Sequence, residues 1–218
     1  MLHISHCIRC GTCCIKGGPS FHHEDKMLIE KGIILSKYLY TIRAGELTYD
    51  NVKGHLIPAS SDIIKMKGRQ NSWTCIFFDK ETKGCMVYEN RPVECRALKC
   101  WDTTEIERIY SKNRLTRKDL IAKVQGLWGI VEDHQFRCSY DNIRCLADLW
   151  DRDKKKSAIE GIVEIIQYDI HMRSLVVKKG GMDSDMLDFL FGRPLVETIK
   201  TFGFRVEKRE GNFCLIPN

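Results

Sequence analysis

The sequence predicts an α+β protein: a small cysteine-rich half with short strands, then a mostly helical half ending in a β-hairpin. Three observations predict it. Eight of the eleven cysteines lie between Cys7 and Cys100, in a stretch rich in turn residues and holding only short apolar runs. Beyond residue 104 apolar residues recur every three and four positions, the spacing that lines one face of a helix. The closing "FRVEKREGNFCLIP" reads as two strands turning near Gly211 and Asn212. The break falls near residues 102–104, so a cysteine-cluster domain is expected over 1–103 and a mostly helical region packed against it over 104–218.

In order along the chain, "HHEDKMLIEKG" reads as a short helix that His22 and His23 begin and Gly32 ends. "DIIKMKG", "WTCIFFD" and "GCMVY" read as short strands. "DKETKG" connects the last two, which would put Cys75 and Cys85 on neighbouring strands of one hairpin. "ENRPVECRALK" begins a turn or short helix, with Pro92 suited to a first helical position. "TTEIERIYSKN" and "LTRKDLIAKVQGLWGIVEDH" are helical, each opened by a capping-type threonine. A longer helical pattern runs from about Asp141 to Lys178, with Ile159, Ile162, Val163, Ile166 and Ile170 as a buried stripe, and Gly180 and Gly181 end it. Shorter helices follow around Met186 to Phe191 and from Pro194 to Thr201.

A chain of 218 residues can bury a hydrophobic core and does not need disulfides to fold. An odd number of cysteines precludes complete internal pairing. "MLHISHC" lacks the basic and apolar regions of a secretory signal. No run approaches the roughly 20 apolar residues of a membrane span; even "AIEGIVEIIQYDI" is interrupted by Glu160, Glu164 and Asp169. The expectation is a cytoplasmic protein, where clustered cysteines point to metal or redox chemistry. The formal charge of +6 arises from 35 basic and 29 acidic residues, well interspersed. The densest run, "DRDKKK" at Asp151 to Lys156, mixes signs and reads as a solvated helix face. Neither a membrane nor a nucleic-acid partner is expected.

The chemistry is concentrated in two sets of thiols. "CIRCGTCC" has the pattern C-x2-C-x2-C-C at Cys7, Cys10, Cys13 and Cys14. Cys75, Cys85, Cys95 and Cys100 form the second set. Thiolates at such spacings can converge on an ion because the intervening loops are short. Gly11 permits a backbone that turns amide groups towards sulfur. Successive side chains diverge in both strand and helix, so Cys13 and Cys14 are expected to serve two irons of one cluster, or two separate sites. Eight thiolates fit two zinc sites, one four-iron cluster with a zinc, or two clusters. Four cysteines within eight residues are poorly explained as core filler. Cys138, Cys145 and Cys214 lie in helical or strand patterns and read as packing residues. His3 and His6 read as exposed terminal residues, and His134 lies near Cys138 in sequence. Arg9, Arg91 and Arg96 lie beside these cysteines and can offset thiolate charge. Glu89 and Glu94 show no acid–base partner in the sequence and read as structural.

"CIRCGTCC" together with "CMVYENRPVECRALKC" resembles the YkgJ-type cysteine-cluster family, described as a zinc- or iron-chelating domain. Cys85, Val87, Tyr88, Arg91, Pro92, Cys95, Arg96 and Cys100 match its second segment, with Cys75 upstream. The resemblance covers roughly residues 7–102 and implies eight metal-ligating cysteines: Cys7, Cys10, Cys13, Cys14, Cys75, Cys85, Cys95 and Cys100. "CIRCGTC" also resembles the first three ligands of bacterial ferredoxins, but Cys14 follows at once where a ferredoxin has three residues and then Cys-Pro. That similarity favours an iron–sulfur cluster over zinc.

The leading reading is a metal-binding protein whose centre is structural or transfers electrons. The alternatives are a protein-modifying enzyme, since flagellin lysine methylases look similar in carrying such a box, and a zinc-stabilised interaction module. A redox partner or a protein substrate is the partner class these functions imply. The radical-SAM spacing C-x3-C-x2-C is absent, because the position it requires after Cys10 and Cys14 is Gly17. No dinucleotide fingerprint and no Walker loop is present.

Overall fold

The computed structural model describes residues 7–69, 72–209 and 212–217. His3, His6 and Gly211 lie outside them. Helix α1 (Thr12–Lys16) sits inside the first cysteine box. A 3₁₀ turn at His23–Asp25 leads into α2 (Lys26–Glu30); the Asp25 carboxylate accepts the His22 N–H at 3.1 Å, the Asp25 N–H donates to the His22 carbonyl at 2.9 Å, and Gly32 (φ 69°) stops the helix. Strand β1 (Leu39–Ile42) pairs antiparallel with β4 (Ile63–Met66), in register Leu39↔Met66 to Ile42↔Ile63. Between them β2 (Leu47–Asp50) and β3 (His55–Pro58) form their own hairpin, Leu47↔Pro58 to Asp50↔His55. Neither β1 nor this hairpin was expected from the sequence.

The next hairpin is smaller than expected. Strands β5 (Phe78–Asp79) and β6 (Gly84–Cys85) pair Phe78 with Cys85. Cys75 is not on β5 but bridges Gly68, so the two cysteines are not cross-strand neighbours. The connector shortens the ladder: Asp79 accepts from the Glu81 N–H (3.0 Å) and the Thr82 hydroxyl (2.6 Å), which starts the turn at the second strand residue. Helix α3 (Val93–Ala97) follows, with Pro92 capping it rather than opening it from within.

The second half is helical: α4 (Thr104–Ile109), α5 (Arg117–Ile121), α6 (Leu127–Arg137), α7 (Tyr140–Asp153) and α8 (Lys156–Lys178). A capping box at Thr116 and Asp119 opens α5. Two expected helices are each split where the backbone turns left-handed. Gly126 (φ 76°) separates α5 from α6, and Lys154 (φ 51°) separates α7 from α8. Of the α8 stripe, Ile162 and Ile166 are fully buried; Asp169 and Arg173 are buried on the same face, which periodicity did not suggest. Short helices α9 (Leu187–Phe191) and α10 (Leu195–Thr198) lead to the hairpin of β7 (Phe204–Arg209) and β8 (Asn212–Pro217).

One core cluster draws on both sides of residue 103, with Phe21, Leu39, Ile64 and Phe78 packing alongside Leu115, Val131 and Phe189 to Phe191. A second lies among α7, α8, α10 and the last hairpin, around Ile143, Ile162, Leu195 and Phe204. Buried ion pairs also link distant segments. Arg117, 2% exposed, forks onto Asp62 at 2.7 and 3.0 Å and reaches the Leu190 carbonyl at 2.7 Å. Fully buried Glu46 accepts from the Arg43 N–H, the Tyr140 hydroxyl and Arg193. Among the described residues no helix is long and apolar enough to cross a membrane.

Candidate metal centre

The first box is held open by two left-handed residues, Arg9 (φ 54°) and Gly11 (φ 76°). A Cβ at Gly11 would stand 2.3 Å from Cζ of Phe78, so only glycine fits between the box and β5. The Ile15 N–H then bonds the Gly11 carbonyl at 2.9 Å and starts α1 at once. Cys13 and Cys14 occupy its first turn, with sulfurs 3.9 Å apart. Their side chains, expected to diverge, instead converge. The observed spacing is close to the edge, about 3.8 Å, of a tetrahedral thiolate site with metal–sulfur bonds of about 2.3 Å. Cys7 Sγ accepts the Arg9 N–H at 3.4 Å, and Cys10 Sγ lies 3.3 Å from the Thr12 hydroxyl.

The second set meets the first through the backbone: the Cys75 N–H donates to the Cys14 carbonyl at 2.7 Å. Cys75 is buried, with its sulfur 3.3 Å from Met66 Sδ. Cys85 arrives on β6 and Cys95 at the middle of α3. Cys7, Cys13, Cys14, Cys75, Cys85 and Cys95 all line one groove of about 2220 Å³. Cys10 flanks Cys13, whose charge acts on it. Cys100 is exposed, in a turn closed by the Asp102 N–H to the Lys99 carbonyl, and does not line the groove.

Charge inside this set follows from contact and burial. The Cys14 thiol donates to Cys13, lowering Cys13 to about 6 and raising Cys14, so the pair retains one proton between them. The Thr12 hydroxyl lowers Cys10. Burial pushes Cys75 and Cys95 up, and the neighbouring thiols push Cys95 further. Without a cation the inner sulfurs therefore keep their protons, whereas soft thiolates in this arrangement suit a zinc or iron ion. The donor chemistry and the glycine cradle fit such a group. Of the arginines, Arg9 and Arg91 lie over the Tyr88 ring, 4.7 and 3.7 Å from its centroid, and the Arg91 charge favours the Cys13 thiolate. Arg96 donates to the Arg91 carbonyl and braces that loop.

Glu94 has the partners its sequence context hid. It accepts from the Ser20 N–H at 2.6 Å and faces His22 Nε2 at 3.2 Å, while His22 Nδ1 bonds the Lys112 carbonyl at 2.7 Å. Burial alone would lower His22, but Glu94 outweighs it and the pKa is raised; burial would raise Glu94, but His22 and Lys65 hold it down. Asp25, whose carboxylate accepts the Val93 N–H at 2.8 Å, completes a clamp on the helix that carries Cys95.

A model of the CxxCxxCC family, described as a "Putative zinc- or iron-chelating domain", matches residues 6–115. The chain belongs to this family. No curated protein and no solved structure matches the chain. The family's chelating description covers both thiol sets of this CxxCxxCC protein and stops shortly after α4.

A different trio lies outside the family region. His134, Cys138 and Asp169, all fully buried or nearly so, bring their ligand atoms within 4.8 Å of one another. We assign it as an ion-pair node rather than a metal site. Asp169 already accepts from His134 Nε2 (2.8 Å), Arg173 Nε (2.8 Å) and the Leu195 N–H (3.0 Å), and the Arg43 charge also acts on His134. Burial pushes the Cys138 thiol up to about 12. Its packing role agrees with the sequence reading; Cys145 does not, being exposed on α7, and Cys214 is half-buried. Asp169 gave no sequence signal, since a carboxylate in an apolar stripe reads as a helix interruption.

Proposed function

We propose that the protein binds an iron–sulfur cluster, with zinc as the alternative occupant, through thiolates drawn from Cys7, Cys10, Cys13, Cys14, Cys75, Cys85, Cys95 and Cys100. The centre serves a structural or electron-transferring role in the cytoplasm. One observation carries the reading: thiols from segments some sixty residues apart in sequence gather where Cys75 hydrogen-bonds Cys14, close enough to oppose one another's ionisation, which a bound cation would reverse. The ferredoxin-like C-x2-C-x2-C start favours iron–sulfur chemistry. Metal analysis with electron paramagnetic resonance on anaerobic protein tests it. Brown protein with broad absorbance near ~400 nm, bleached by air, is expected. Colourless protein with stoichiometric zinc rejects the iron–sulfur assignment, and protein that takes up neither metal rejects the centre.

The groove beside the thiols favours a second reading, a protein-modifying enzyme that uses the centre. Calorimetric titration with S-adenosylmethionine tests its methyltransferase form; absence of binding to metal-loaded protein removes that form.

A further inference from the structure

The groove does not end at the sulfurs. It continues between the β2–β3 hairpin, α4 and the corner joining α9 to α10. Eleven basic residues line it, Lys53, Lys65, Arg91, Arg96, Arg114 and Arg193 among them, against five carboxylates: Asp50, Glu94, Glu107, Asp188 and Glu197. Eleven less five is a surplus of six. The rest of the chain is balanced, because 35 basic residues less eleven and 29 acidic residues less five each leave 24. The whole formal excess of the protein thus lies on this one surface. Arg193 and Lys99 are partly neutralised by Glu46 and Glu105, which do not line it, and Arg9 and Arg91 are committed beside the thiols. Arg114 is fixed in the groove wall, donating to the Tyr110 carbonyl at 2.8 Å and lying over the Tyr110 ring, and Lys53 stands exposed on the β2–β3 turn. They lie near Asp50, whose carboxylate accepts the Lys53 N–H at 2.9 Å and the Tyr110 hydroxyl at 3.4 Å.

Apolar surface is interleaved with this charge. Trp73 is 70% exposed and Leu56 55%, and both line the groove together with exposed Tyr49, Val52 and Trp101. Exposed apolar groups sharing a groove with charge mark interaction sites.

We propose that this groove docks an acidic segment of a partner protein, with carboxylates alternating with apolar side chains, and thereby brings that segment to the thiolate centre. The proposal rests on the metal-binding reading for what the docked segment meets, but not for the docking itself. An extended peptide suits the surface better than a nucleic acid. The five interspersed carboxylates would repel a continuous phosphate backbone, whereas a peptide offers N–H groups and gaps between its charges.

The test titrates anaerobically purified protein, with its metal content assayed, into a short fluorescein-labelled peptide in which Glu and Asp alternate with Leu and Phe. Saturable binding is expected, weakening steeply between about 50 and 300 mM salt. A Lys53→Glu, Arg114→Glu variant should bind about tenfold or more weakly with unchanged metal content. Lys53→Gln, an exposed change on the hairpin turn, should give a smaller loss and serves if the double variant misfolds. Absence of saturable binding, equal binding by these variants, or tighter binding of a single-stranded oligonucleotide overturns the proposal. Protein without metal that still binds the peptide refutes the centre and leaves docking intact; metal-loaded protein that ignores the peptide refutes docking alone.

Discussion

The sharpest single test of the site's architecture is Gly11→Ala. Two costs add. Alanine at φ 76° sits in the left-handed region at a cost of about 1 kcal/mol. Its Cβ also stands 2.3 Å from Cζ and 2.8 Å from Cε2 of Phe78, where ordinary contacts begin near 3.4 Å. The ring tip must move by roughly 1 Å, and Phe78 is only 4% exposed. Its backbone is tied as well: its N–H bonds the Cys75 carbonyl at 2.9 Å and its carbonyl accepts Arg69 at 2.6 Å. Displacing it shifts Cys75, so an overpacking cost of about 1–3 kcal/mol applies. The total of about 2–4 kcal/mol corresponds to metal binding weaker by roughly 30- to 1000-fold. Competition against a chromophoric chelator measures this. Phe78→Leu removes the clash but not the dihedral cost, so the double variant should regain the steric part. Affinity of Gly11→Ala within threefold of the parent, or no coupling in the cycle, refutes the reasoning.

Asp169→Asn should destabilise the protein by about 3 kcal/mol, because it removes the nearer of buried Arg173's two counter-ions and leaves Asp188 at 3.4 Å; a urea midpoint loss worth under 1 kcal/mol would show that the node is solvated. Burial lowers His134 to about 4, against 6.5 when free, so unfolding takes up a proton below the free value. The stability this confers is complete above pH 6.5 and is lost as pH falls through 4, with about 2 kcal/mol gone by pH 5. The difference in urea stability between the parent and His134→Gln, measured at pH 7.5 and pH 5, isolates it from acid loss of metal; equal slopes refute a neutral buried imidazole. Iodoacetamide mapped by mass spectrometry should label exposed Cys145 rapidly in metal-loaded protein, and exposed Cys10 and Cys13, whose thiol pKa values are lowered, only after chelation. Labelling of Cys13 at the same rate before and after chelation would remove it from the centre.

The two thiol sets were legible because cysteine spacing is itself the chemistry, and the last hairpin because turn residues separate the alternating "FRVE" from the apolar "FCLIP". Strand β1 was not, since Leu39, Thr41 and Ile42 are all buried and no alternation remains; the Thr41 hydroxyl is satisfied by the Phe189 carbonyl, far off in sequence. The β2–β3 hairpin was missed for the opposite reason, β3 being largely exposed and β2 only half-buried, with no residue of either strand in the core. Splits at Gly126 and Lys154 left the helical period nearly intact, so one pattern read through two helices. The charged interior was invisible for a more general reason. Apart from Asp169 with Arg173, four residues on, Arg43, Arg117 and Asp169 find partners for their side chains 18 to 95 residues away, and a local sequence window contains only one member of each such pair.

These long-range ties decide how metal and fold communicate. Phe78 supports Gly11 on one side and belongs, on the other, to the core cluster that includes Val131 and Phe189 to Phe191. Loosening the thiol region therefore disturbs packing in the helical half, and the reverse. A ligand that binds the folded chain better than the unfolded one stabilises it by mass action, so loading should raise the melting temperature of the whole molecule in one transition. The opposite expectation is a metal-bound subdomain hung on an indifferent scaffold. It would give two transitions in calorimetry, only the first sensitive to chelator. Glu94, His22 and Asp25 argue for the single transition, because they fasten the Cys95 helix to the segment leading into α2 and to Lys112 beyond α4. Two chelator-separable transitions would refute that coupling.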